Sequence, residues 1–224
     1  MLAFKQSLSL VSLKNLGGWS PTHESSLVAW YQNKEEITLN GTDVSQWRDS
    51  SANTHHMVQA TESRQPAYHS GILTFVADDS QFLQTTSQIS LDGEFTIGMR
   101  IQPTAFNNVI LGDNTSLNEF FKFTESTNLR IKIAGFTINL DLDSGTFGND
   151  YLVITRDGDN LITLYQNGTA QSTTATLVGS CDIDAIGVRA TNLNTYEGDV
   201  KEIQIYDSAS SALTANVNNR LSNI

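Results

Sequence analysis

The sequence predicts an all-β protein in which two antiparallel sheets pack face to face. Apolar and polar side chains alternate along residues 95–101, 129–133 and 136–142, and a period of two is typical of strands buried on one side only. Only 17% of the residues are charged and 39% are hydrophobic, a composition that suits neutral, polar sheet faces. Turn dipeptides separate the alternating runs. Together these observations predict a β sandwich.

The first strands are expected between polar loops in residues 27–83. The apolar run 28–31 precedes the turn dipeptide Asn40-Gly41, and the short strand 44–47 ends at a polar loop. Pro66 confines the strand that follows it to a sheet edge. Further strands are expected at 57–59, 67–68, 72–75, 82–83, 109–111 and 120–123.

Three tight turns predict hairpins in the second half of the chain. Ala134-Gly135 separates two alternating runs by two residues. The polar segment 157–160 joins the runs 151–155 and 161–165, and Asn167-Gly168 turns the chain again. We therefore expect antiparallel neighbours throughout this part of the sequence.

The spacing of apolar residues changes in the last strand and again at the C-terminus. Val200 and Ile203 are out of phase, which predicts a β-bulge near Lys201-Glu202. A short amphipathic helix should follow, and Thr214 is able to cap its first turn. The helix is predicted from apolar residues spaced by four, which are Leu213, Val217 and Leu221.

An N-terminal arm of residues 1–20 is predicted to precede one sandwich domain of residues 21–224. The arm has apolar residues without a clean period, and Gly17-Gly18 forms a hinge near its end. It could pair with a sheet edge or dock on a neighbouring subunit, and a frayed terminus is the alternative. The residues expected to anchor it are Leu8, Leu10, Leu13, Leu16 and Trp19.

The charge and cysteine content exclude several classes of function. The net charge is −11, and an acidic surface repels nucleic acid and anionic lipid, so neither nucleic acid nor a membrane is expected as a partner. Cys181 is the only cysteine, so no internal disulfide can form, and a buried, inert thiol is expected. No apolar run approaches the ~18 residues of a membrane span. No secretory signal is expected either, which predicts synthesis in a cytoplasm.

Several short pieces follow one another in a recognisable order. The segment 47–53 reads Trp-Arg-Asp-Ser-Ser-Ala-Asn, a later strand ends in Phe75, and Phe95-Thr96-Ile97 follows. In this order the pieces resemble the laminin-G-like, concanavalin A-like jelly-roll superfamily, over about residues 26–224. The resemblance implies a two-sheet jelly-roll sandwich. One departure is that Val-Ala-Asp follows Phe75 where the superfamily has Asp-Gly, so the turn chemistry differs.

The whole chain is also similar to small jelly-roll proteins encoded by tailed bacteriophages, notably those of marine cyanobacteria. That similarity depends on short stretches at residues 18–21, 57–61, 85–91 and 110–114. It implies a structural component of the virion. Because one fold hosts many functions, the implication is an association and not a mechanism.

Two carboxylates have a spacing that would suit catalysis, but one of them also fits an ordinary turn. Hydrolysis of a glycan needs two carboxylates about 5 to 10 Å apart. Asp141 and Asp143 have the spacing of alternate strand residues, but Asp143-Ser144-Gly145 is also a normal turn. The Glu-x-Asp-x-Glu array of related glucanases is missing, and Glu202 stands alone on its strand. A non-enzymatic protein is therefore expected.

Two kinds of ligand have candidate residues. A sugar site would use an exposed aromatic ring, for which Trp19 and Tyr196 stand in polar loops, whereas Trp30 and Trp47 are expected in the core. Calcium needs several oxygen ligands converging from loops, and the resembled jelly rolls often bind it at one rim. No other cofactor is expected. The candidate calcium ligands are Asp78, Asp79, Asp113, Asn114, Asp141 and Asp143.

The main hypothesis is a non-enzymatic virion structural protein, either a capsid decoration protein or an accessory tail component. It would dock on other virion proteins in a symmetric, multi-copy assembly through its arm and one sheet edge. The alternative is a carbohydrate-binding module that serves adsorption to glycan on the host cell surface. A hydrolase of β-glucans is the third hypothesis. The expected location is the virion, after synthesis in the host cytoplasm.

Overall fold

In the computed structural model, which describes residues 18–224, the alternating pattern produces 17 strands and one α-helix. The helix, α1, spans Ser211–Ser222. The strands are β1 (Leu27–Tyr31), β2 (Ile37–Asn40), β3 (Asp43–Trp47), β4 (Met57–Val58), β5 (Ala67–His69), β6 (Ile72–Phe75), β7 (Leu83–Leu91), β8 (Phe95–Pro103), β9 (Asn108–Gly112), β10 (Phe120–Glu125), β11 (Asn128–Ile133), β12 (Phe136–Asp141), β13 (Asp150–Arg156), β14 (Leu161–Gln166), β15 (Thr169–Thr176), β16 (Cys181–Ile186) and β17 (Gly198–Tyr206).

The strands form two antiparallel layers. The first layer, the helix-covered sheet, has the order β1, β17, β8, β13, β14, β15, with β6 and β5 beside the start of β17. The second layer, the open sheet, has the order β7, β16, β9, β10, β11, β12. The short strands β3 and β4 join the layers at one edge. The predicted two-sheet antiparallel sandwich is confirmed.

The turns lie where the sequence predicts them. Ala134-Gly135 connects β11 to β12 with φ of +48° and +86°, and Asn167-Gly168 connects β14 to β15 with φ of +51° and +81°. Positive φ at both residues matches the twist of the flanking strands. Residues 157–160 join β13 to β14. The register of β17 against β8 shifts between Val200 and Glu202, which is the predicted bulge.

The core lies between the two sheets. Phe95 of β8 packs edge-on against Phe121 of β10, with ring centroids 6.4 Å apart. Trp30 and Trp47 are buried, as the sequence predicts. Cys181 is free and buried in the same core, and burial raises the pKa of its thiol. The predicted burial of Cys181 is therefore confirmed.

The helix α1 covers the outer face of the helix-covered sheet, where it packs against β8 and β13. The backbones approach closely at Gly98, because a Cβ atom there would lie 2.3 Å from Cγ1 of Val217. No helix in residues 18–224 has the length and apolar character that crossing a membrane requires. The second, smaller core beneath α1 consists of Val153, Tyr206, Leu213, Val217 and Leu221.

The N-cap of α1 differs from the prediction. The hydroxyl of Ser210 accepts a hydrogen bond from the Leu213 N–H at 3.1 Å, and the helix begins at Ser211. The hydroxyl of Thr214 instead donates to the Ser210 carbonyl at 2.9 Å. Thr214 lies one turn inside the helix, where its side chain cannot reach the free N–H groups of the first turn.

A buried ion pair ties α1 to the sheet beneath it. Glu202, in the bulged part of β17, is 0% exposed and accepts hydrogen bonds from the Trp30 indole at 3.0 Å and from the Arg220 guanidinium. The Gln204 amide and the Asn33 backbone N–H complete its partners. The Arg220 guanidinium also lies 4.7 Å from the centroid of the Trp30 ring. Glu202 therefore has a structural role.

Candidate functional site

The two sheets differ in what covers their outer faces. The helix-covered sheet is closed by α1 and by Trp19, which packs on the core beneath the helix. The outer face of the open sheet bears no helix among the described residues, since α1 is their only α-helix. We call this surface the open face. Loops cover part of it, and polar side chains project from the rest.

One row of directly paired residues crosses the open face from edge to edge. Each residue is the antiparallel partner of the next, so all six side-chain positions lie on one side of the sheet. Strands are about 4.8 Å apart, which places the first and fourth members of the row roughly 14 Å from each other. The row is Gln84, Ala185, Gly112, Phe120, Lys132 and Thr137.

A cleft of about 480 Å³ opens at the β4 and β7 end of this face. Its lining combines apolar and polar side chains, which we call the apolar wall and the polar wall according to their chemistry. Phe82 of the apolar wall packs with Ala185 and Val188. The apolar wall consists of Val58, Ala60 and Phe82, and the polar wall of Gln59, Gln84, Thr85, Thr86, Thr115 and Asp184.

A hydrogen-bond network fixes the polar wall. The carboxylate of Asp184 accepts from the Asn114 N–H at 2.6 Å and from the Gln84 amide at 2.9 Å. The Asn114 side chain donates to Gln84 at 3.0 Å and accepts from the Asn192 N–H at 2.9 Å. Burial raises the pKa of Asp184, whereas the bonds from Asn114 and Gln84 lower it. Capacity for a ligand remains in the second N–H of the Gln84 amide, in the Thr115 hydroxyl oxygen as an acceptor, and in the second lone pair of each Asp184 oxygen.

A strained segment crosses the open face over Gly112. A Cβ atom at Gly112 would lie 2.6 Å from the Val188 carbonyl oxygen and 2.9 Å from Cβ of Arg189, so only glycine fits there. Beyond this crossing, residues 190–192 adopt left-handed φ values of +34°, +54° and +68°. Their N–H groups bond to Asp113 and Asn114, which offsets the strain. The segment places Arg189 above the sheet.

Four basic side chains surround Phe120 on the half of the open face formed by β10 and β11. The Arg189 guanidinium lies 4.7 Å from the centroid of the Phe120 ring. Lys122 is paired directly with Arg130, and Phe120 with Lys132. We call this group the cationic patch, and its members are Lys122, Arg130, Lys132 and Arg189.

The centre of the patch is locally positive. Lys122 is only 8% exposed. Its pKa is lowered, first by burial and then by the charges of Arg189 and Arg130. Burial also lowers the pKa of Arg189. No member of the patch lies within ion-pair distance of a carboxylate in the part of the chain that the structure describes.

A larger opening, of about 590 Å³, lies beside the loop after β3. Three of its charged side chains, those of Glu36, Arg48 and Asp49, already have partners. Arg48 pairs with Glu36 at 3.2 Å, and the Asp49 carboxylate accepts from Trp30, Ser51 and His55 backbone N–H groups. Asp49 therefore organises the loop that carries the superfamily resemblance, and this opening is a weaker candidate than the cleft.

The predicted anchoring residues are only partly within the described region. Leu8, Leu10, Leu13 and Leu16 lie outside the described residues, so the docking arm stays a prediction. Trp19 is half-buried, packs on the core beneath α1 and donates its indole N–H to Glu24 at 2.7 Å. Its ring is therefore engaged within the chain itself.

The prediction that Tyr196 is an exposed sugar platform is wrong. Its side chain is 0% exposed and its ring contacts those of Phe75 and Phe123 in the core. Polar neighbours in the sequence suggest exposure, but the chain turns inward here to begin β17. The Tyr196 hydroxyl donates to the Asp199 carbonyl at 3.4 Å.

The carboxylates considered for calcium do not converge. Among residues 18–224, no group of three or more His, Cys, Asp or Glu side chains is arranged to hold a metal ion. Asp113 bonds to Thr115 and Gln88, while Asp141 accepts from Asn128. Asp143 bonds to Ser172, and Asp78 and Asp79 lie in the turn before β7. Asp113 and Asp143 bond within separate loops, whereas Asp141 ends β12 and bonds to the paired strand β11.

Sequence reasoning missed the residues that form the cleft and the patch. The patch had a detectable signal, because Lys122 alternates with buried Phe121 and Phe123 just as Arg130 and Lys132 alternate with buried neighbours. Arg189 had none, since its place above Phe120 depends on how a distant loop crosses the sheet.

No protein-family model and no curated protein matches this sequence. Among solved structures, the fold is similar to domain 4 of AbnA, a GH43 extracellular arabinanase from Geobacillus stearothermophilus, in complex with arabinotriose. That match has 16% identity, a TM-score of 0.56, and covers 87% of this chain and 97% of that chain. The Ruminococcus gnavus IT-sialidase CBM40 matches with 16% identity and a TM-score of 0.45, over 57% of this chain and 84% of that one.

The NanB sialidase of Streptococcus pneumoniae, as a K499G mutant, matches with 16% identity and a TM-score of 0.43. The match covers 59% of this chain and 26% of that chain, so this protein spans about a quarter of the sialidase. At 16% identity, the match to the arabinanase domain shows a similar fold alone. None of these structures is a phage or laminin protein, so those two assignments stay predictions.

Proposed function

We propose that this protein is a non-catalytic carbohydrate-binding protein that holds a glycan in the cleft of the open face. One observation carries the proposal: the open face contains a cleft lined by both apolar and polar side chains. A sugar ring has the same duality, with a C–H face and a rim of hydroxyls. Binding sites of this kind combine apolar contact with a few placed polar groups.

The chemistry of the polar wall suits hydroxyl groups. A hydroxyl both donates and accepts, and the side chains of Gln84 and Thr86 do the same. The Thr115 hydroxyl, which donates to Asp113, can still accept. The network through Asp184 and Asn114 holds the Gln84 amide in place before a ligand arrives. Such preorganisation lowers the entropy lost on binding.

The known structures support this proposal at the level of the fold. Domain 4 of AbnA, which has the same fold over 87% of this chain, was solved with arabinotriose. At 16% identity no binding residue is carried over from that domain. Its support is that a domain of similar fold and length was solved in complex with a sugar.

The cleft also favours binding over hydrolysis. Asp184 is the one carboxylate that lines it, and both Asp184 oxygens already accept hydrogen bonds. Glycoside hydrolysis by paired carboxylates requires a second acid about 5 to 10 Å away across the substrate. A turnover assay on β-glucans should therefore show no product above background.

The test is a glycan array followed by calorimetry with a blocked cleft. Ala60 is exposed on the apolar wall, so Ala60→Trp should fill the cleft and reduce glycan affinity at least tenfold. Ala170→Trp, at an exposed position of β15 outside the cleft, is the matched control and should bind normally. Absence of binding to every glycan tested, or equal binding by both variants, would contradict the proposal.

Glycan binding agrees with the host-adsorption alternative derived from the sequence. It is also compatible with a virion component, which could carry a sugar site on its solvent-facing surface. That location remains a separate prediction. Imaging the chain in an intact phage particle is the experiment that tests it.

A further inference from the structure

We propose that the cationic patch binds the acidic groups of the glycan, so that the ligand of this protein is an anionic polysaccharide bearing carboxylate or sulfate groups. The inference rests on the proposed function and adds the class of sugar. Its starting point is the position of four cations around one aromatic ring, on the same sheet face as the cleft.

Four basic side chains cluster in a chain that is acidic overall. The protein has 24 acidic and 13 basic residues, yet four of the basic side chains gather on two strands and one crossing loop. Like charges placed side by side on a sheet destabilise it. Lys122 and Arg130 are such a directly opposed pair. An arrangement that costs stability and lacks a carboxylate partner is typical of a binding site.

The donors in the patch point to an oxyanion. Arg189 uses Nε and Nη2 for Asn194, and Arg130 uses Nε for Asn139. The other terminal N–H groups of both guanidinium groups, and the Lys122 ammonium, make no hydrogen bond to residues 18–224. Guanidinium groups bind carboxylate and sulfate-like oxyanions with paired N–H donors. Stacking on Phe120 holds Arg189 in position.

The surroundings favour a glycan over a nucleic acid. The other half of the open face carries Asp182 and Asp184 of β16, which alternate with the core residues Cys181 and Ile183. Burial raises the pKa of Glu119, just before β10, and the charges of Asp113 and Asp182 raise it further. A continuous polyanion would meet this acidic half at every placement along the sheet. A polysaccharide offers neutral hydroxyls to the cleft and isolated acidic groups to the patch.

The experiment uses pairs of glycans that differ only in charge. Binding of the full chain is measured by calorimetry in 0.15 M salt, where the Debye length of about 8 Å screens distant charges. The carboxylated pair is oligogalacturonate and its carboxyl-reduced form, and the sulfated pair is dextran sulfate and dextran. A single-stranded oligonucleotide serves as the competing polyanion.

We expect the acidic member of at least one pair to bind at least tenfold more tightly than its neutral partner. Lys122→Met and Arg130→Met should each lower that affinity at least fivefold and leave neutral-glycan affinity unchanged. Arg48→Met removes one exposed charge that belongs neither to the patch nor to the cleft, so it should stay within twofold of the parent. Thermal denaturation confirms that each variant is folded.

Each outcome separates the two proposals. Equal affinity for acidic and neutral members overturns the inference and leaves the proposed function standing. An equal loss in Arg48→Met, or tighter binding of the oligonucleotide than of either acidic glycan, also overturns the inference. Failure to bind any member of either pair, together with a negative glycan array, overturns both.

Discussion

Residues 18–224 contain two ion pairs, one buried and one exposed, formed by Glu202 with Arg220 and by Glu36 with Arg48. Glu202 is fully buried beside Arg220, whereas the side chains of Glu36 and Arg48 are 46% and 53% exposed. Removing one partner of a buried pair leaves an uncompensated charge and costs about 3–5 kcal/mol. An exposed pair contributes about 0–1 kcal/mol.

We therefore expect Glu202→Ala to lower the free energy of unfolding by about 3–5 kcal/mol, and Glu36→Ala by less than about 1 kcal/mol. Urea denaturation of the two variants measures both values. Similar losses in the two variants would show that burial does not set the strength of these pairs. The prediction holds whatever the ligand is.

Lys122 occupies a site that costs stability. Its pKa is lowered by burial and by the charges of Arg189 and Arg130. The Lys122 ammonium group therefore loses its proton at a lower pH in the folded protein than in the unfolded chain. The cost is therefore full below the folded pKa and declines as the pH rises towards the unfolded value of about 10.4.

Lys122→Met should raise the free energy of unfolding by about 0.5–1 kcal/mol at pH 7 while weakening acidic-glycan binding. Urea denaturation at pH 7 and pH 10 should show the gain shrinking at the higher pH, because neutral lysine no longer bears the cost. Lys34→Met, at an exposed position, is the control and should change stability by less than about 0.5 kcal/mol. A loss of stability in Lys122→Met would contradict the local electrostatics.

At the scale of elements, α1 and β8 pack as closely as they do because Gly98 has no side chain. A Cβ atom would lie 2.3 Å from Val217, whose branched side chain has little rotamer freedom in a helix. Gly98→Ala should therefore cost about 1–3 kcal/mol by overpacking. Urea unfolding measures this, and Gly93→Ala, where nothing lies within 4 Å of the added atom, is the control.

The double variant Gly98→Ala with Val217→Ala sharpens this test. If the clash is the cause, the smaller side chain at residue 217 makes room for the added methyl group, and the double loss is smaller than the sum of the single losses. Additive losses would show that Gly98 acts through the backbone and not through the helix contact.

Local patterns in the sequence were enough to predict most of the strands and turns. The alternation in β8, β11 and β12 and the turns at Ala134-Gly135 and Asn167-Gly168 depend on neighbouring residues, and each is found where it was predicted. Tyr196 and Arg189 depend on contacts between distant parts of the chain. Tyr196 meets Phe75 and Phe123 in the core, and Arg189 reaches Phe120 only because its loop crosses Gly112. Neither contact leaves a periodic pattern.

At the scale of the whole molecule, the two outer faces of the sandwich differ in what covers them. One face is closed by α1 and the Glu202 network, whereas no helix of residues 18–224 covers the open face. The loop that carries Arg189 crosses this face between the cleft and the patch, so a ligand that reaches both must pass over it. The cleft and the patch therefore lie on the same sheet, on either side of this loop.

This arrangement predicts that affinity depends on ligand length. Gln84 at the cleft and Phe120 at the patch are three strands apart, roughly 14 Å. A monosaccharide acid cannot bridge that distance, whereas a longer acidic oligomer can contact both regions in one binding event. Linked contacts raise affinity steeply once the span is reached.

Calorimetry with galacturonate oligomers of increasing length should show a rise in affinity of at least about tenfold at that span. Ala60→Trp should abolish the rise and Ala170→Trp should preserve it, while equal affinity at every length would show that the two regions bind independently.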